Sequence, residues 1–166
     1  MSKRQQMEEA ALATKLESLR RRSGLALDIE GHWWHDGNPF EHSGIIAALN
    51  KGIDLHPDSG EPIVRVGEQW CYIEAAGTTP FLAVRLHIDD IGQIALSLNT
   101  TESVKTEKAN WHLRFGALHC RLVDGRLVRL SRHTQAKMAA YLEEAADGYY
   151  IVTAAGKWLI KDGQGS

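Results

Sequence analysis

The segment GHWWHDGNPFEH, residues 31–42, sets three histidines, two tryptophans and two carboxylates close together. Imidazole and carboxylate are the donors of a zinc-type centre, and indole is a stacking surface for a ligand ring. Spacing limits both uses. In an extended strand neighbouring side chains point to opposite faces, so His32 and Trp34 share one face while Trp33 and His35 take the other. The two nearest histidines therefore diverge. Only His42, with Glu41, could meet one of them across a turn, and that is an irregular ligand set. The segment reads instead as a folded corner, with one tryptophan in the core and Trp34 left to wall a ligand cleft. No metal is expected.

A second concentration of chemistry lies between residues 111 and 137, where Arg114, Arg121, Arg126, Arg129, Arg132 and Lys137 face one acid, Asp124. Guanidinium groups take phosphate or carboxylate in a bidentate grip, and Trp111 or Phe115 offers a ring to stack on a base. With Asp124-Gly125 read as a two-residue hairpin turn, Arg121 and Arg126 share one face. Arg129 then falls on the core face with Leu118, Cys120, Leu122 and Leu127. A partly buried arginine needs a counter-charge, either an internal carboxylate such as Glu68 or Glu74 or a ligand anion. Cys120 falls inward and reads as inert core.

Catalytic patterns are missing: the chain has no G-x-S-x-G, H-E-x-x-H, P-loop or G-x-G-x-x-G. His35 with Glu41, or His119 with Glu68, would be acid-base pairs that no spacing selects. No catalytic residue and no cofactor is expected. A hydrolase or transferase ranks third, behind two binding roles.

The whole chain is 166 residues long with 43% apolar residues and a net charge of −2, which suits one packed unit or two small halves. That charge favours neither a nucleic-acid polymer nor an anionic membrane, and runs such as IIAAL are far too short to span a bilayer. The N-terminal stretch lacks the apolar core of a secretory signal, and Cys71 and Cys120 form no C-x-x-C pattern. The expected location is the cytoplasm.

The elements that must position these residues begin with a helix over 5–22, on which Leu12, Leu16 and Leu19 recur at helical spacing. Its end, Arg20 to Arg22, reads as a solvated terminus and Ser23-Gly24 as its stop. Asp36-Gly37 predicts a hairpin, and Ser43 a cap for a short helix striped by Ile45, Ile46, Leu49 and Ile53. PIVRV and QWCYI flank Gly67-Glu68 as a second hairpin. FLAVRLHI sets Leu82, Val84, Leu86 and Ile88 on one face, and QIALSLN pairs with it. After a polar loop come GALHCRLV and RLVRL around Asp124-Gly125. A helix capped by Ser131 is then expected to carry Thr134, Met138, Tyr141, Leu142 and Ala145 as far as Asp147-Gly148. YYIVTAAGKWLI closes the chain in strands.

Sliding the sequence along itself by 88 positions superposes Asp36-Gly37 on Asp124-Gly125, Ala48 on Ala136, Ile63-Val64 on Ile151-Val152 and Trp70 on Trp158. Identities are few, but they fall at one ungapped offset that joins like elements. The expectation is an α+β fold of two similar β-β-α-β-β units packed together, with an N-terminal helix over 1–23. The first subdomain would run over 25–100 and the second over 110–161.

From about residue 25 to 160 the chain also resembles a bacterial family known only as domain of unknown function 1285. GHWWHDGNPFEHSGI is similar to that family's W-x-H-x-G-x-P-I opening, TTPFLAV to its A-P-F-x-A-V strand, LSLNT to its R-T-N segment and LRFGALHCRL to its R-x-G-L-E-A stretch. Three departures stand out. Gly77-Thr78-Thr79 replaces an acidic pair, Ser97 stands near the arginine of R-T-N, and Arg65-Val66-Gly67-Glu68 reduces a T-P-V-E segment. The resemblance implies a duplicated α+β core whose later half is loosely pleckstrin-homology-like. It also implies a pocket between halves for a nucleotide-like molecule in signalling.

Together these readings predict a non-enzymatic cytoplasmic binding protein that takes a small anionic, nucleotide-like ligand between its halves. Arg114, Arg132 and Arg129 would hold the charge, Asn99 would bond polar groups and Trp34 would form an apolar wall. The alternative is an adaptor that docks a protein, or another copy of itself, through the N-terminal helix or an edge strand.

Overall fold

The structure, a computed structural model, describes residues 2–163. It is α+β, and its contacts divide into two compact units meeting at Gly77/Thr78.

The first unit begins with α1 (Lys3–Arg21), which opens on a reciprocal cap between Ser2 and Gln5. Strands β1 (Leu25–Leu27), β2 (Trp33–His35) and β3 (Asn38–Pro39) follow, then α2 (Ser43–Gly52). Next come β4 (Ile53–Leu55), β5 (Pro62–Val66), β6 (Gln69–Tyr72) and β7 (Glu74–Ala75). β7 continues β6 past Ile73, so the strand order reads β3-β2-β1-β7/β6-β5-β4. β1 runs parallel to β7, and the other pairs are antiparallel.

Trp33, at 2% exposure, plugs this unit's core and donates its indole N–H to Asn50 Oδ1 on α2 at 2.8 Å. The cap of α2 is not Ser43 but His42, whose Nδ1 accepts from the Gly44 and Ile45 amides. Ser43 is already the first helical residue. The helix therefore takes the third histidine of the opening segment as its N-cap, an acceptor role that hydroxyl and carboxylate side chains usually fill.

No residue of α1 is buried. The helix is held by its end: Arg20 lies 4.1 Å over the Trp70 ring and Arg21 4.1 Å over Tyr72. Arg21 also grips Glu61 through both terminal nitrogens, at 3.0 and 3.1 Å, and Tyr72 donates its hydroxyl to Glu17. The arginines expected to stand in solvent are thus the helix's anchor, because β6 presents two rings to their flat faces.

The second unit starts with β8 (Phe81–Ile88), β9 (Ile94–Leu98) and β10 (Ser103–Lys105). It goes on through β11 (Asn110–Arg114), β12 (Ala117–Arg121), β13 (Leu127–Leu130) and α3 (Arg132–Met138). β14 (Leu142–Ala145), β15 (Gly148–Thr153) and β16 (Gly156–Asp162) complete it. One sheet holds all nine strands in the order β10-β9-β8-β13-β12-β11-β16-β15-β14.

Three expectations change here. The first subdomain does not reach residue 100, because β8 pairs in parallel with β13 and carries β9 and β10 into the second unit's sheet. The helix after Ser131 is short: Leu142 and Ala145 lie in β14, paired with Ile151 and Gly148. Leu142 stays 38% exposed there, held by its pairing with Ile151. Finally, a bulge between Ala83 and Arg85 breaks the alternation of β8, turning Val84 out to 43% exposure.

Ser131 does cap α3, accepting from the Thr134 amide. Thr134 Oγ1 donates to the Ala83 carbonyl, and Gln135 Oε1 accepts from the Leu118 amide, so the helix is pinned to β8 and β12. The β11–β12 turn holds a rarer feature, a phenylalanine at positive φ: Phe115 at 49°, followed by Gly116 at 72°. That region costs a bulky L-residue about 1 kcal/mol.

Removing one ring should free the anchor of α1. Trp70→Ala deletes a stack worth about 0.5–1 kcal/mol at a surface. Hydrogen exchange should then show the amides of α1 exchanging ~3-fold faster while those of β5 keep their protection. Unchanged protection in α1 would place its anchor elsewhere.

A basic face on the second sheet

Directly paired residues of neighbouring strands share a face of the sheet. In the second unit His112 pairs with His119, His119 with Arg129, and His112 with Lys161. One row therefore crosses four strands as Lys161–His112–His119–Arg129, spanning ~15 Å at the usual strand spacing. Arg114 and Arg121, two positions along from His112 and His119, lie on the same face. The row on the opposite face is Ile160–Trp111–Cys120–Val128–Phe81, in which Trp111, Cys120, Val128 and Phe81 are each at most 1% exposed.

The face of Arg129 is thus the reverse of the one expected. The Leu122 amide donates to the Arg126 carbonyl at 2.9 Å and the Gly125 amide to the Leu122 carbonyl at 3.0 Å, leaving Val123, Asp124 and Gly125 as a three-residue loop. Gly125 takes φ 94°, as such loops require. One extra loop residue flips every later side chain, so Arg129 leaves Cys120 and joins His119. Asp36-Gly37, by contrast, makes the two-residue turn, with His35 opposite Asn38 and φ of 47° and 81°.

His119 lies at the centre of the row and is 1% exposed. Its Nδ1 is 2.9 Å from the Ala117 carbonyl, which can only accept, so Nδ1 carries the proton. Nε2 of the neutral ring then accepts from the Thr78 hydroxyl 2.5 Å away. Burial, with Arg114, Arg129 and His112 around it, holds the imidazole below its ordinary pKa. His112 is half-buried and also lowered, first by burial and then by Arg121, Lys161 and Arg114. Burial pushes the Cys120 thiol, on the other face, up to about 12.

The structure brings Arg114 and Arg129 of the expected ligand set onto this face and leaves the others elsewhere. Arg132 is exposed on the first turn of α3. Asn99 is buried: its Oδ1 accepts from the Leu82 amide and its Nδ2 donates to the Pro80 carbonyl. Trp34 belongs to the first unit, where its indole donates to Asp28 at 2.9 Å. There it lines a cavity of about 780 Å³ together with Arg21, Asp36, Glu61, Tyr72 and Glu74. Arg22 lines it too, but three carboxylates against two arginines, one of them already gripping Glu61, make that cavity a poor seat for an anion.

Arg126 also leaves the basic count. It holds Glu102 through both terminal nitrogens at 2.9 and 3.0 Å and bonds Asp124 as well. His112 and Lys161 were missed in the sequence, although alternation along Asn110–Arg114 already puts His112 beside Arg114. Only the pairing of β11 with the last strand brings in Lys161. Among the described residues no cluster of histidine, cysteine and carboxylate groups suits a metal ion, and no helix is long and apolar enough to cross a membrane.

The fold has solved counterparts. A DUF1285 family protein from Silicibacter pomeroyi DSS-3 superposes with a TM-score of 0.63 at 12% identity, covering 82% of this chain and 78% of that one. A DUF1285 family protein from Shewanella baltica OS155 gives a TM-score of 0.52 at 11% identity, over 71% of this chain and 91% of that one. The chain therefore has the fold of DUF1285 family proteins. No family model and no curated protein matches the sequence.

The lowered imidazoles set a sign for the pH dependence. With folded pKa values below the unfolded value of about 6.5, the unfolded chain binds protons first as pH falls. Stability is then full above that value and is lost from it downward, through the folded pKa values of both rings. Urea midpoints at pH 7.5, 6.5 and 5.5 should fall in that order, and His112→Gln should make the fall shallower. Midpoints that hold level, or a variant as steep as the parent, would contradict the assignment.

Proposed function

We propose that the protein is a non-enzymatic binding module that takes a small anionic, nucleotide-like ligand on the basic face of its second unit. The observation that supports this most is the setting of His112, ringed by Arg114, Arg121 and Lys161 on three paired or adjacent positions. Cations gathered on one half-buried sheet face repel one another, and an arriving anion relieves that repulsion. Arginines suit phosphate or carboxylate oxygens because their fork donates two parallel hydrogen bonds. The nucleotide-like character, a signalling or regulatory role and a cytoplasmic setting complete the proposal. They rest on the family resemblance and on the composition.

The proposal is tested with pyrophosphate as probe. Thermal unfolding of the full chain should move upward with pyrophosphate concentration, as binding to the native state alone requires. Arg114→Ala should weaken binding ~10-fold or more, the worth of one charged hydrogen bond, and added salt should weaken it further. No shift at millimolar pyrophosphate would overturn the reading.

A second reading, an adaptor acting through α1, is favoured by one observation. Leu12, Leu16 and Leu19 remain 66, 43 and 60% exposed along α1. Glu8 and Glu9 near one end and Arg22 at the other, beyond Arg20 and Arg21 held on β6, would match in charge if two copies of α1 lay antiparallel. The partner proposed is therefore a second copy. Light scattering should then give a dimer that Leu12→Glu with Leu16→Glu converts to a monomer, and a monomeric parent would end this reading.

A further inference from the structure

We infer that Phe115 is the ligand's ring contact: it stacks on the planar ring of the anion held at His112 and Arg114, and so selects ring-bearing anions over bare ones. The inference rests on the anion site proposed above and adds a specificity residue to it.

Three observations on one turn carry it. Phe115 is 89% exposed, more than any other large apolar side chain among the described residues. A ring that open contributes nothing to the core, so packing does not explain its presence. Its backbone, moreover, holds φ at 49°, a conformation that favours glycine or asparagine over a bulky side chain. Of the three non-glycine residues with positive φ, the other two are Asp36 and Thr101, and an aspartate is at home there. A turn that needed only to reverse the chain would be better served by asparagine. Strain on an exposed aromatic points to a use for the ring.

The third observation is rigidity. Gln135 on α3 accepts from the Leu118 amide and donates to the Gly116 carbonyl, clamping the turn from both sides. A pre-set ring loses little freedom when it meets a ligand. Phe115 directly follows Arg114, whose stem is fixed in turn: a Cβ on Gly163 would come within 2.3 Å of Arg114 Cγ. Charge contact and ring contact therefore issue from consecutive residues of one braced hairpin. An aromatic ring one residue along from a guanidinium suits a planar heterocycle linked to a phosphate.

The test compares adenosine 5′-monophosphate, ribose 5-phosphate and inorganic phosphate by calorimetry on the full chain. The parent should bind the adenine compound ~10-fold more tightly than ribose 5-phosphate, the worth of one good stack. Phe115→Asn should remove that advantage and leave the affinity for ribose 5-phosphate unchanged. Phe115→Trp should keep the advantage. A residue with only a structural role would behave otherwise, because Phe115→Asn relieves strain and its unfolding temperature should equal or exceed the parent's. Equal affinity of the parent for the adenine compound and ribose 5-phosphate, or an adenine preference that survives Phe115→Asn, overturns the ring contact while the anion site stands. If none of the three binds the parent, the anion site itself fails and the ring contact with it.

Discussion

The loop at Val123–Gly125 governs which side of the second sheet Arg129 occupies. A two-residue loop would have put Arg129 opposite Cys120 in the place Val128 holds, in a row whose other members are almost wholly buried. A guanidinium there would have lost its water with only apolar neighbours to replace it, at a cost of several kcal/mol. With one more loop residue Val128 faces Cys120 instead, the core row stays apolar, and Arg129 pairs with His119. The positive φ of Gly125 makes that loop possible, and the place of Arg129 on the basic face is its consequence.

This also marks the limit of what the residue pattern could tell. Asp36-Gly37 and Asp124-Gly125, each set between alternating residues, announced hairpins, and both formed. The dipeptide does not say whether the loop has two residues or three, and that single residue decides the face. Burial itself separates the two cases. Of the two registers, only the three-residue one leaves the core row without a charge, so counting cations per face for each alternative would have selected it. The cap of α2 was hidden for a different reason. His42 does the work of an oxygen acceptor, and no general preference points to imidazole.

The helix expected through Leu142 failed because its apolar spacing was ambiguous. Met138, Leu142 and Ala145 fit one helical face, but Leu142 and Ala145 also fit strand partners at Ile151 and Gly148, and the tertiary pairing won. The elements around it were plain from alternation and turns: β5 with β6, β8 with β9, and β12 with β13 all stand where the pattern put them. What joins β8 to β13 is a parallel contact between residues 47 positions apart, from Phe81 with Val128 to Ala83 with Leu130, and no local signal announces such a partner. That pairing moved the boundary between the units from near residue 100 to Gly77.

The two units offer a comparison that bears on the basic face. The order β3-β2-β1-β7/β6-β5-β4 in the first recurs as β13-β12-β11-β16-β15-β14 in the second, each with a helix between its third and fourth strands. Asp54 opposite Ile63 and Leu142 opposite Ile151 are even the same register, displaced by the offset of 88 seen in the sequence. Yet β1, β2, β3, β6 and β7 contain no lysine or arginine, while β11, β12, β13 and β16 contain Arg114, Arg121, Arg129, Lys157 and Lys161. The same strand order forms in the first unit without a cation on any of these strands, so the topology does not require them. Three of them surround a half-buried imidazole, and burial together with their charge holds it below its ordinary pKa. The cations are thus additions to the shared strand order, and two of them carry local structure: Arg121 donates to the Gly125 carbonyl at 2.9 Å and Lys157 lies 4.0 Å over the Tyr150 ring.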